Sequence, residues 1–163
     1  MTNALTVTAP EGLPYIDTER EFDAPVDAVF RAHRDPDLLQ QWMGPDGYEM
    51  EIERHDFVTQ GGYRFVHRSP KGEEYAFNGT FHTVRDDDFA IQTFEFEGAP
   101  DQVSIEFLTF TDLGSGRTRL SAHAVYPSLE TRDAMVSSGM EKGMVEGYDK
   151  LEALLASVGA GRE

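Results

Sequence analysis

The 163 residues carry 30 acidic against 14 basic side chains, a net charge of −16, a hydrophobic fraction of 39% and no cysteine. That length suits one domain of roughly 100–200 residues, and the absent thiols exclude disulfides, thiolate metal sites and cysteine nucleophiles. The acidity sets the chain against phosphate backbones and anionic membranes, so neither nucleic acid nor membrane is expected as a partner.

The first residues lack a basic start and an apolar run, and no stretch reaches the ~18 apolar residues of a membrane span, so a cytoplasmic protein is the expectation. Residues 1–13 read as a flexible arm, 14–157 as a single domain and 158–163 as a tail. Tyr15–Phe22 reads as a strand. Pro25 and Asp27 open a short helix carrying Val29, Phe30 and His33, and Asp35-Pro36 opens a second, with Leu38, Leu39 and Trp42 along one side. Gly44-Pro45 stops it.

Strand patterning then dominates to Tyr126. Met50 and Ile52 alternate with Glu49, Glu51 and Glu53. Tyr63, Phe65 and His67 alternate with Arg64, Val66 and Arg68. Glu73–Val84, Phe89–Phe96, Val103–Thr111 and Thr118–Tyr126 follow, separated by short turns, which predicts an antiparallel meander. After Pro127, Ser128 caps a long helix. At about 100° per residue, Val136, Met140, Met144, Gly147, Leu151 and Leu155 share one sector, and Lys142, Glu146 and Asp149 lie opposite. An antiparallel sheet needs cover on one face, and only this helix is long enough to give it. The prediction is an α+β fold, a curved antiparallel sheet of about six to seven strands around a long C-terminal helix, with two short helices after the first strand.

Several residues point toward an internal pocket. Gly139, Gly143 and Gly147 recur every fourth position of the helix, where each glycine costs about 1 kcal/mol relative to alanine. Close packing of helix on sheet is one reason for them; space for a ligand beside Met140, Met144 and Tyr148 is the other. Tyr63, Phe65, Phe94 and Phe107 are strand aromatics suited to an apolar pocket wall. Trp42 is either a helix-end anchor or a wall at the pocket mouth, and His67 shares the face of Tyr63 and Phe65. The ligand-binding set expected is therefore Trp42, Tyr63, Phe65, His67, Phe94, Phe107, Met140, Met144 and Tyr148. His67, His82 and His123 lie on different strands, but no histidine has metal-ligand spacing, so no metal is expected. Strand alternation puts Glu106 outside, between Ile105 and Phe107. No nucleophile elbow, phosphate loop or dinucleotide fingerprint occurs, so neither a catalytic residue nor a cofactor is assigned.

The run Arg20-Glu21-Phe22-Asp23-Ala24-Pro25 into Val29-Phe30-Arg31-Ala32, then Asp35-Pro36, Trp42 and Gly44-Pro45, resembles the opening of bacterial proteins similar to the C-terminal domain of the Hsp90 ATPase activator, in the START/Bet v 1-like (SRPBCC) superfamily. Gly61-Gly62-Tyr63-Arg64-Phe65, Gly79-Thr80-Phe81, Thr118-Arg119-Leu120 and Ser138-Gly139-Met140 extend it over about Tyr15 to Leu155. The resemblance implies a helix-grip fold over a hydrophobic cavity but no definite activity; the aromatic strands and the Gly/Met face of the last helix make binding of a small hydrophobic or aromatic molecule the leading expectation. A cyclase, dehydratase or hydrolase using the same cavity, with His67 and Tyr63 as its polar groups, is the alternative. A co-chaperone or stress-response role is a third. The Hsp90 activator carries an additional N-terminal domain where this chain has a short arm, which counts against Hsp90 as a partner. Many members carry a second tryptophan where Met43 stands, so the pocket mouth is expected to differ. Some helix-grip proteins self-associate, and the sequence leaves a homodimer open.

Overall fold

Alternation along each strand decides which side chains meet the interior, and the computed structural model, which describes residues 3–160, shows the outcome. The elements are β1 (Thr6–Thr8), β2 (Tyr15–Phe22), α1 (Val26–Arg34), α2 (Pro36–Trp42), β3 (Glu49–His55), β4 (Gly62–Arg68), β5 (Glu74–Arg85), β6 (Phe89–Phe96), β7 (Ser104–Gly114), β8 (Arg117–Val125), α3 (Leu129–Ser137) and α4 (Met140–Ala160). The strands form one eight-stranded sheet in the order β1-β2-β8-β7-β6-β5-β4-β3. Every neighbouring pair is antiparallel. β3 to β8 are the expected meander, and β2 joins it by pairing with β8. This curved sheet around a long C-terminal helix is the helix-grip arrangement.

Two short helices follow β2, as their start signals predict. Asp27 lies in the first turn of α1 and Arg31, His33 and Arg34 in its last, the polarity a helix dipole favours. The Asp35 side chain accepts from the Asp37 amide at 2.9 Å to cap α2, with Pro36 just inside. Gly44, at φ +104°, then reverses the chain.

The arm departs from the sequence reading. Thr6–Thr8 pairs with Asp17–Glu19 of β2, so it is an edge strand. Asn3 donates to Glu152 on α4, which ties the segment to the helix. At three residues, β1 is too short for its Thr-Val-Thr alternation to mark it as a strand. At the other end α4 runs to Ala160, so the predicted tail begins inside the helix, and its last three positions lie outside the described residues.

The long C-terminal helix is two helices. Ser128 caps α3 by accepting from the Thr131 amide at 3.1 Å. Gly139, at φ +85°, ends that segment in a left-handed conformation and lets α4 restart. The break turns Val136 out of the predicted apolar sector, and it is 45% exposed.

Inward-facing side chains fill one end of the sheet and leave the other open. Phe30 of α1 meets Phe57 and Phe110 edge-on at 5.4 and 5.2 Å between ring centres, and Phe57 meets Phe81 at 4.8 Å. Leu151 and Leu155 of α4 cover this solid end. Arg20, 2% exposed on β2, donates to Asp149 at 2.8 Å and lies 3.8 Å from Glu152, pinning the helix to the sheet. Asp149 is exposed, as its helical sector predicts, and still carries this ion pair. No helix among the described residues is long and apolar enough to cross a membrane.

Candidate functional site

The first half of α4 lies over the unfilled end, and between it and the sheet is a cavity of about 360 Å³. Tyr63, Phe65 and His67 of β4 and Phe94 of β6 form part of its sheet wall. Met140, Met144 and Tyr148 form the helix side. Trp42 closes the α2 side. It both anchors and lines: its indole N–H donates to the Ala32 carbonyl at 3.0 Å, and its ring stacks on Tyr148 at 5.8 Å. Phe77 and Phe81 complete the aromatic wall.

Phe107, expected in the lining, is on the other face. β7 carries apolar residues in both phases of its alternation, so the pattern alone is ambiguous. Pairing resolves it. Glu106 faces Ala124 and Gln92, Leu108 faces Ala122, and Phe110 faces Leu120. That phase is the inner one. Phe107 instead lies beside His123 on the outer face, at 6.1 Å between ring centres, and Ile105 is 45% exposed. The same shift brings Glu106 inside, against expectation. The small residues Ala122 and Ala124 on β8 and the phase Ala90-Gln92-Phe94 on β6 are the sequence signals that identify this face.

Glu106 is half-buried and lines the cavity. The Gln92 amide donates to it at 2.8 Å. Burial pushes its pKa up, and the Gln92 hydrogen bond opposes that only in part. Burial also raises the Tyr148 and Tyr126 phenols, and the Glu106 charge raises them further. Tyr63 has its own partner: its hydroxyl donates to the Thr93 carbonyl at 2.6 Å.

The histidines divide by environment. His33 donates from Nδ1 to the Val29 carbonyl at 2.8 Å, and His55 from Nε2 to the His33 carbonyl at 2.7 Å, so both have structural bonds. His67 is different. It is 7% exposed, and its Nδ1 has no hydrogen-bond partner among the described residues. Burial, with the nearby Lys150 charge, brings its pKa down to about 4. The ring lies against Gly44, where an added Cβ would come within 2.6 Å of it. His82 is exposed beside Thr83, and His123 pairs with Asp17 on the outer face. His67, His82 and His123 therefore do not converge.

The glycines of the last helix have separate reasons. Gly139 makes the break. Gly147 permits close approach, since a Cβ there would sit 3.2 Å from the Trp42 carbonyl. Gly143 faces the Pro45 ring at an ordinary 3.7 Å and lines the cavity. Packing and space thus both operate, at different positions. Lys150 holds the adjoining loop by donating to the Gly44 carbonyl at 2.9 Å and the Pro45 carbonyl at 3.5 Å.

The same fold occurs in several solved structures. A Rhodobacter sphaeroides protein superposes with a TM-score of 0.85 at 23% identity, over 94% of this chain and 99% of that one. An Arthrobacter aurescens protein gives 0.84 at 26% identity, over 93% and 91%. DynU16, from the dynemicin biosynthetic locus, gives 0.65 at 19% identity, over 88% of this chain and 47% of its own. No curated protein matches the chain. The family model described as Activator of Hsp90 ATPase homolog 1-like protein matches residues 23–156, from the residue after β2 to the last turns of α4, and the chain belongs to that family.

Proposed function

We propose that this protein binds a small, mostly apolar molecule in the cavity between α4 and the sheet. One observation carries the reading: a half-open pocket of about 360 Å³ walled by aromatic and methionine side chains, with few polar groups facing in. Small-molecule pockets run from roughly 300 to 1,000 Å³ and have this composition. A fold that needed only stability would fill such a space, because voids in a core forfeit packing contacts.

Native mass spectrometry of the purified protein and displacement of an environment-sensitive dye test it. The expected result is a bound apolar molecule, or saturable dye binding that apolar competitors reverse. Ala122 lines the cavity from β8. Ala122→Leu should abolish dye binding while holding or raising the melting temperature. Equal dye binding by both proteins would count against the reading.

A second reading, an enzyme working in the same cavity, is favoured by Glu106. A cavity-lining carboxyl whose pKa is pushed up is a group that general acid–base chemistry uses. Cyclase, dehydratase and hydrolase chemistry all need one, and DynU16 belongs to a biosynthetic locus. Its likeness to this chain carries the fold alone. Glu106→Gln should abolish any turnover found with a cavity-bound compound; retained turnover would remove this reading.

A further inference from the structure

The cavity wall is apolar, but its charge has a sign. Among the described residues that line it, Glu106 alone is carboxylic, and none is lysine or arginine. The nearest cations are engaged elsewhere: Arg20 with Asp149 and Glu152, and Lys150 with the Gly44 and Pro45 carbonyls. Gln92 gives Glu106 one hydrogen bond, to one oxygen. A half-buried carboxylate whose donor among the described residues is neutral has lost part of the solvation that water gave it.

Resting on the ligand-binding reading, we infer that the ligand is a hydrophobic amine, an aromatic or alicyclic body whose ammonium group docks on Glu106. Three features converge on that chemistry. The ammonium supplies the missing counter-charge and hydrogen-bond donors. The rings of Trp42, Tyr148 and Phe65, which line the cavity from α2, α4 and β4, add π-electron density that attracts a cation. The net charge of −16 draws cations toward the protein and repels anions. The same features reject a fatty-acid-like anion, whose head group would meet a carboxylate and no cation.

The test holds the apolar body constant and changes the head group. Naphthylmethylamine, naphthoic acid and methylnaphthalene are titrated into the full chain and into Glu106→Gln by calorimetry. The amine should bind about tenfold or more tighter than the acid, as expected for a charge-assisted hydrogen bond in a half-open pocket. Glu106→Gln should weaken the amine by a similar factor and leave methylnaphthalene unchanged. If methylnaphthalene binds but the acid matches the amine, or the amine ignores the substitution, the amine inference fails and the cavity reading stands. If methylnaphthalene does not bind, the cavity reading fails and the inference falls with it. Should Glu106→Gln not fold, the ranking of amine over acid on the unaltered protein decides.

Discussion

His67 and His33 hold imidazoles where water cannot stabilise their charge. Burial lowers each to about 4, against an ordinary value near 6.5. The sign follows from linkage. Below about 6.5 the unfolded chain takes up protons that the folded protein refuses until about pH 4, so stability falls across that window as the pH drops. The slope is at most about 1.4 kcal/mol per pH unit for each histidine. Glu106 acts in the opposite sense, because a raised carboxyl makes the folded state bind its proton first. Paired carboxylates such as Asp86, held down by Arg34, lose their contribution at lower pH still. Burial lowers His55 as well, so melting curves between pH 7 and 4.5 should show the decline from all three histidines, and His67→Phe should flatten it in part. An unchanged slope in that variant would show that His67 does not carry it. Sequence placed His67 on the correct face because Tyr63 and Phe65 share its phase. Glu106 was misplaced because Ile105 and Phe107 are as apolar as Leu108 and Phe110, and only strand pairing chooses between the phases.

At the scale of the element, α4 separates three glycines that look equivalent in sequence. Gly143→Ala should stabilise by up to about 1 kcal/mol, since its Cβ meets only an ordinary contact and alanine is the better helix former. Gly147→Ala should destabilise by about 1 kcal/mol or more, because the Trp42 carbonyl is backbone and cannot retreat. Gly139→Ala should cost about 1–2 kcal/mol for its left-handed conformation. Urea denaturation of the three variants checks the order; a common sign for all three would contradict the separate roles. The helix stop at Gly44, the cap at Ser128 and both short helices were legible because each has a local chemical marker. The division of the last helix was signalled only by Ser137-Ser138-Gly139, a weakness that tertiary structure turned into a break. β1 had no such marker, since what defines it is the partner strand rather than its own residues.

Across the whole molecule, the two ends of the sheet do different work. The Phe30, Phe57, Phe81 and Phe110 cluster is a packed core, and the space under Met140 and Met144 is not. Stability should therefore divide unevenly. Phe110→Ala should cost about 3–5 kcal/mol, as expected when a buried aromatic leaves a void. Met144→Ala, beside space already open, should cost less than Met→Ala in a close-packed core. Paired thermal melts check the contrast, and equal losses would show that the cavity end is packed as tightly as the other. The architecture was visible in the order of elements, but the position of the void was not. It depends on where Phe57, a loop residue, and the α1 side chains happen to plug the sheet.

The pairing of β2 with β8 also carries a temporal consequence. Tyr15 lies opposite Val125, so the second strand made finds its partner only after more than a hundred further residues are in place. The hairpins from β3 to β8, like the β1–β2 pair, join neighbours in sequence and can form as the chain emerges, whereas β2 must wait for β8 to join the rest of the sheet. Closing so large a loop is slow relative to hairpin formation. During synthesis the apolar phase of β2, Ile16 and Phe22, stands uncovered until β8 leaves the ribosome, and α4, pinned through Arg20, follows later still. The cavity therefore takes shape only after α4 has been made and has docked on the sheet.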